Sequence, residues 1–399
     1  MPPHPRPASA AAYERRLRLK RALRLWGPLV VAWTVTCIVL SRVAGLRTIE
    51  SFAWFDLLGG LIMGLAFGTA MAWSETRGLG SGRWQAPPWV DLVARTALYT
   101  VVMAAAILVV RAVLYRYFPE QTSRGYARPL LELWADRRVQ RFAALLFAAT
   151  FALNFVLHLR LAVGPQHLAA LFTGRYRRPV FERRAFVFVD LADSTPTAEA
   201  LGPLAFTRFK HDFFSDIAEP LLFTGGHIVQ YVGDEVMLTW REDELGDGRA
   251  PLRFVRALER RLRRRAPVYE ERYGTRPRFR TGIHYGEVVV AQVGDTRRDI
   301  VYSGDVVNAS ARLLQSCRPV GVDGLISAVA ARRLDALSTR PLPSVPAPAP
   351  APGGTEVSLS LHPVGPLSLR GRSTAMEAYG WRWDEAGGEA RLHSRGPRQ

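Results

Sequence analysis

Cysteine is almost missing: the 399-residue chain has two, Cys37 in an apolar run and Cys317 far away in a polar half. That excludes a disulfide framework and a cysteine-based zinc site, and it suits a reducing cytoplasm for the second half. Acids are scarce beside bases, 35 Asp and Glu against 53 Lys and Arg, a formal charge of +18 carried mainly by arginine. The excess has two readings: a partner of opposite sign (nucleic acid, anionic lipid or a phosphorylated substrate), or the codon usage of a GC-rich genome. No aromatic-basic platform or groove-reading helix accompanies it, so nucleic acid is not an expected partner. No internal repeat is evident.

What the first part does contain is apolar length. Leu25 to Ser41 carries no charge, Ser51 to Ser74 is broken only by Asp56, Thr96 to Val110 extends past Arg111 to Tyr115, and Phe142 to Leu159 has no Asp, Glu, Lys or Arg. Spanning a bilayer takes roughly 20 mostly apolar residues. Four such stretches, with Trp and Tyr near their ends, predict an α-helical membrane domain of about four transmembrane helices over 25–163. A soluble helical bundle is the alternative.

The preceding "YERRLRLKRALRL" is too basic, and too poorly followed by a cleavage site, for a removed signal peptide. An even number of spans puts both ends on one side. The basic N-terminus (1–24) and "GRYRRPVFERR" after the last span mark that side as the cytoplasm, giving a multi-pass protein of the inner (cell) membrane. The segment from Arg111 to Arg141 runs against this, since it would lie outside yet carries several arginines. Asn154 and His158 fall one helical turn apart in the fourth stretch, where they face either a partner helix or the interface.

A connecting segment (164–184) leads to alternating strand and helix patterns from Ala185 to Trp383, the mark of an α/β domain. The Pro-rich run 341–355 cannot pack and reads as an extended loop within that domain; 384–399 reads as a loose tail.

In "AFVFVDLADSTPTAEALG", Asp190 ends a strand, and the small-residue turn that follows would offer N–H groups to a phosphate at a helix start, although Asp193 or Ser194 could equally be a helix cap. "IVQYVGDEVMLTW" reads as a tight hairpin with Asp234 at its tip. If the two strands are neighbours, Asp190 and Asp234 converge, and two carboxylates suit hard cations that keep room for substrate phosphates. Glu235 is expected to face solvent. In "SGDVVNASARLLQ", Asn308 and Arg312 share one helix face, while Val307, Ala311 and Leu314 would dock the helix. Arg370 in "LSLRGRS" adds a cation at a strand end.

Taken in order, "FVFVDLADST", "GGHIVQYVGDEVM", "RTGIHYGEVVV", "SGDVVNASARL" and "LSLRG" resemble the catalytic domain of the class III nucleotide cyclases, over about half the chain. The resemblance implies an α+β, ferredoxin-like palm fold. It implies two divalent cations, Mg²⁺ or Mn²⁺, held by Asp190, Asp234 and the Leu191 backbone. It further implies triphosphate contacts from Ala192, Asp193, Ser194, Thr195 and Arg370, with Arg370 standing where the family usually has a lysine. Asn308 and Arg312 match the pair that positions the ribose and stabilises the transition state. The family works as a head-to-tail dimer with shared sites, so a homodimer is implied, cyclising a nucleoside triphosphate and releasing pyrophosphate.

The departures fall at the base-reading positions, Gln230 and Val301. A Gln amide both donates and accepts, so it could read adenine, whereas Val301 offers only shape. ATP is the favoured substrate, with GTP or a pyrimidine triphosphate open. Two rivals are a silent receptor or scaffold module and a diguanylate cyclase. The retained aspartates, Asn308 and Arg312 argue against the first. The turn Val-Gly-Asp-Glu-Val in place of Gly-Gly-Asp/Glu-Glu-Phe argues against the second.

Overall fold

The computed structural model describes residues 26–28, 30–43, 54–77, 87–117, 137–164, 168, 170, 173–296, 298–335, 359–369 and 374–383. The basic N-terminus, the Pro-rich run, the tail, most of the 111–141 segment and Arg370 lie outside them. The chain divides into two units, Met1–Leu168 and Ala169–Gln399.

Four helices make up the described part of the first unit: α1 (Trp26–Val43), α2 (Trp54–Arg77), α3 (Pro88–Tyr117) and α4 (Arg137–Val163). The sequence predicts four spans; among the described residues three helices are long and apolar enough to cross a membrane, namely α1, Trp89–Val109 within α3, and Arg137–Leu159 within α4. In α2 the described apolar part is Leu57–Met71, within a sequence that carries no charge from Leu57 to Ser74. Asp56 precedes it, and Ser74 and Glu75 follow closely.

Small residues let α1 and α2 approach. A side chain at Gly60 would press on Ile38 and the Thr34 carbonyl, and one at Gly64 would meet Thr34 and the Val30 carbonyl. Trp33 stacks on Phe67 at 4.0 Å between ring centroids, and Phe67 meets Tyr99 at 5.3 Å. The outer face of α4 is apolar too, with Phe147, Phe151 and Phe155 stacked 6.4–6.5 Å apart. Apolar surface on both faces of a helix is compatible with a lipid surround. Asn154 and His158 are satisfied inside this unit: Asn154 Nδ2 donates to the Thr150 carbonyl, and His158 lies 2.9 Å from both the Asn154 carbonyl and the Asp91 carboxylate.

In the second unit, β-branched and aromatic runs build one mixed sheet. Its order is β2 (His227–Val232), β3 (Glu235–Arg241), β1 (Val180–Leu191), β4 (Phe279–Val293), β6 (Gly324–Ser327), β8 (Met376–Trp381) and β7 (His362–Leu367), with β5 (Asp299–Ser303) paired to β4. The first four strands with their crossover helices follow the ferredoxin-like order, antiparallel throughout, and β6 joins β4 in parallel. Strand β1 starts five residues before Ala185 because Arg184, 1% exposed, pairs there with Glu182 and the Tyr176 hydroxyl.

Alternation along β1 divides the core between the two faces. Ala185, Val187, Val189 and Leu191 pack against helices α6 (Pro203–Thr224) and α7 (Ala250–Tyr273). Phe186 and Phe188 face helix α8 (Asp305–Val320) through Val306 and Leu314. Between α6 and α7, Asp216 is fully buried and satisfied by Arg261, Arg265 and the Tyr269 hydroxyl.

Candidate active site

Strand β1 ends where the β2–β3 hairpin turns. The turn is two residues long, Gly233 at φ 65° and Asp234, a conformation glycine adopts without steric cost. The Leu191 N–H donates to the Asp234 carbonyl at 3.4 Å, and Lys210 Nζ donates to the Gly233 carbonyl at the same distance. These bonds bring Asp190 and Asp234 to one end of the sheet.

Burial first, and then the charge of Asp234, pushes the Asp190 carboxyl up to about 6, against the pull of Arg280 and the Leu191 N–H. Glu235, expected at the surface, is half-buried instead. It lies opposite Asp190 in the β1–β3 register, and burial followed by the charges of Asp190 and Asp234 pushes it up to about 7. Three carboxyls whose charges oppose one another favour a cation. Among the described residues, no three His, Cys, Asp or Glu side chains form a complete metal cage. Asp190, Asp234 and the Leu191 backbone are the groups that could hold a cation there, with positions left for water and phosphate.

The turn after Asp190 differs from the expectation in two respects. The Ala192 N–H already donates to the Arg278 carbonyl at 2.8 Å, which leaves the N–H groups of Asp193, Ser194 and Thr195 to carry the phosphate expectation. Asp193 does precede helix α5 (Ser194–Leu201), in the left-handed region at φ 55°, but its carboxylate makes no capping bond. It accepts from Arg280 at 3.1 Å instead. Arg280 faces Asp190 in the β1–β4 register, so one guanidinium serves both the turn and the acidic pair. Sequence reasoning missed it, because an arginine on a strand carries no signal until the register is known.

Helix α8 carries Asn308, exposed, and Arg312, half-buried, on its outer side. Its inner side presents Val306, Ala309, Leu313, Leu314 and Cys317, all buried. Gln230 is exposed on β2 beside a bulge, and Val301, 40% exposed, lies on β5.

No family model matches the chain. Adenylate cyclase 2 of Rhizobium meliloti (strain 1021) is 40% identical over 180 residues, 45% of this chain and 50% of that protein. Adenylate cyclase 1 of the same organism is 30% identical over 199 residues, 48% of this chain and 26% of that one. The chain thus spans half or less of the length of these relatives. Among solved structures, the adenylyl cyclase CyaB from P. aeruginosa aligns over 53% of this chain and 97% of its own, with 18% identity and a TM-score of 0.41. A bacterial light-regulated adenylyl cyclase aligns over 61% and 64%, with 18% identity and a TM-score of 0.45. In its ordered motifs and its identity with the curated adenylate cyclases, the second unit is similar to the class III nucleotide cyclases.

Proposed function

We propose that the chain is a membrane-bound nucleotide cyclase, converting a nucleoside triphosphate to its 3′,5′-cyclic monophosphate and pyrophosphate in a homodimer. ATP is the proposed substrate, because the curated relatives are named adenylate cyclases. The observation that carries the reading is the meeting of Asp190 and Asp234 at the end of β1. The anchoring is read from the three long apolar helices with α2 as a fourth span, an even number that leaves the catalytic unit and both ends in the cytoplasm.

Two divalent cations held there would activate the ribose 3′-hydroxyl and neutralise charge on the departing pyrophosphate. The protein groups position the reactants. N–H groups of Asp193, Ser194 and Thr195 at the start of α5 receive triphosphate oxygens, and Arg280 and Arg370 add charge. Asn308 of one protomer orients the ribose, and its Arg312 offsets the charge that develops at the α-phosphate in the partner's site. Gln230 would hydrogen-bond the adenine edge, with Val301 shaping its surround.

The test is to incubate the purified full chain with Mg²⁺ or Mn²⁺ and each of the four common nucleoside triphosphates, and to identify the products. Cyclic AMP should form, and Asp234→Ala should lower the rate by at least ~10³-fold, a barrier change of about 4 kcal/mol. Absence of any cyclic product under both metals would refute the reading.

A further inference from the structure

Asn154 and His158 stand out in the fourth apolar stretch, and the cyclase reading uses neither. Both belong to α4, where His158 meets the start of α3. His158 Nε2 lies 2.9 Å from Asp91 Oδ2, and His158 Nδ1 lies 2.9 Å from the Asn154 carbonyl one turn back. Arg95, one turn after Asp91 on α3, lies 3.0 Å from the same carboxylate oxygen. Arg95 and Asn154 are buried, and the Asp91 and His158 side chains are only 17% and 20% exposed. Charge inside a membrane-spanning unit is costly, and where it is kept it usually serves a function.

Donors and acceptors decide what this bridge holds. A backbone carbonyl only accepts, and so does a carboxylate. A neutral imidazole has one N–H and one bare nitrogen, so it satisfies one of the two contacts while its lone pair faces oxygen in the other. Both contacts are favourable only when the ring carries two protons. Since Arg95 already pairs with Asp91 as a carboxylate, the second proton belongs to the ring. The same ion pair lets the bridge open. Arg95 sits on α3 with Asp91, so loss of a proton from His158 frees α4 without stranding the Asp91 charge. Asp91 and Arg95 are the charged groups of this cluster among the described residues. Arg160 on α4, and Glu75 and Arg77 closing α2, are the nearest further charges in the sequence.

We propose that Asp91 and His158 form a proton-operated clamp between α3 and α4, closed while the His158 ring carries both protons. Imidazole is the side chain that gains or loses a proton near neutrality, so such a clamp responds to acidity in the physiological range. Helix α4 ends at Val163, five residues beyond His158, and the chain runs from there into the connecting segment and β1. On the topology proposed above, this end of the two helices faces the cytoplasm, and the proton comes from there. That side rests on the proposed topology; the clamp itself does not.

The experiment places spin labels at Trp89→Cys and Val163→Cys, exposed positions on α3 and α4 at the clamp end. The full chain is reconstituted in lipid and diluted with unlabelled chain. The native cysteines are buried, so the label goes to the introduced ones. Pulsed electron resonance then reads the distance between the labels at about pH 5.5 and about pH 8.5. The distance should be longer at the alkaline pH by about 2 Å, the size of helix shifts at packed interfaces. His158→Gln and Asp91→Asn should each hold the longer distance at both pH values, and unfolding temperatures establish that each variant is folded. A distance indifferent to pH in the parent, or a His158→Gln chain that responds as the parent does, would overturn the proposal. Activity is not the readout, because the carboxyls of Asp190 and Glu235, pushed up to about 6 and about 7, bend its pH profile in any case. None of these results would touch the cyclase assignment.

Discussion

At the scale of single residues, Arg280 and Glu182 show how register gives a charge its task. Arg280 holds Asp193 at 3.1 Å and acts on Asp190 from the neighbouring strand. Replacing it with alanine frees the turn and removes a cation from the phosphate side. Arg280→Ala should therefore raise the KM for the triphosphate by about 10–100-fold, equivalent to about 1.5–3 kcal/mol for charge-assisted hydrogen bonds. Arg280→Lys should restore the charge without the two-sided contact, and a KM equal to that of the parent in the alanine variant would refute the role.

Glu182 is the opposite kind of residue, structural and remote. Burial raises its pKa, but the Arg184 charge and the hydrogen bonds from Arg184, Arg175 and Tyr176 outweigh that, and the net shift is downward. A carboxylate with a lowered folded pKa stabilises the fold above its unfolded value, near 4.3, and loses that contribution as the pH falls through the folded value. The second unit should thus lose stability below about pH 4 partly through this group. Glu182→Gln should cost about 3–5 kcal/mol at neutral pH, because Arg184 stays buried with its carboxylate partner gone. It should also flatten the acid limb of the stability profile, and an unchanged acid limb in denaturant titrations would refute the assignment.

At the scale of elements, α8 is carried by strand β4 through a glycine. A side chain at Gly282 would meet the Ser310 carbonyl and the backbone of Leu314, neither of which can turn aside as a side chain could. Gly282→Ala should destabilise the unit by about 3 kcal/mol, the upper end of overpacking effects, and should lower activity by displacing Asn308 and Arg312. Activity and chemical denaturation measured together check this, and full activity at unchanged stability would refute it.

The elements also show what a sequence makes visible. Asp190 at a strand end and Asp234 in a Gly-Asp turn were legible because each lies in a short contiguous pattern whose local geometry is set by its own residues. The docking face of α8 was legible only in part: Leu314 is buried as expected, but Val307 and Ala311 are half-buried, and Val306, Ala309, Leu313 and Cys317 fill the face. What pairing decides was not legible: Glu235 opposite Asp190, Arg280 opposite the same residue, and the Ala192 N–H taken by Arg278.

At the scale of the whole molecule, the distribution of parts is the argument. One chain holds the acidic pair at the end of β1 and carries Asn308 and Arg312 on the outer side of α8. On the shared-site reading, one composite site draws on two copies, and each copy then contributes to two sites. Asp190→Ala disables the cation half of its own chain, and Arg312→Ala disables the other half of its own. In a mixed dimer one site receives both lesions and the other receives neither. Each variant alone should be nearly inactive, and a co-expressed pair carrying distinct affinity tags, purified through both, should recover up to about half of the parent's activity per dimer; this expectation assumes only that the two sites turn over independently. Recovery near zero in dimers verified to contain both variants would place all four residues in a single chain's site and end the shared-site reading.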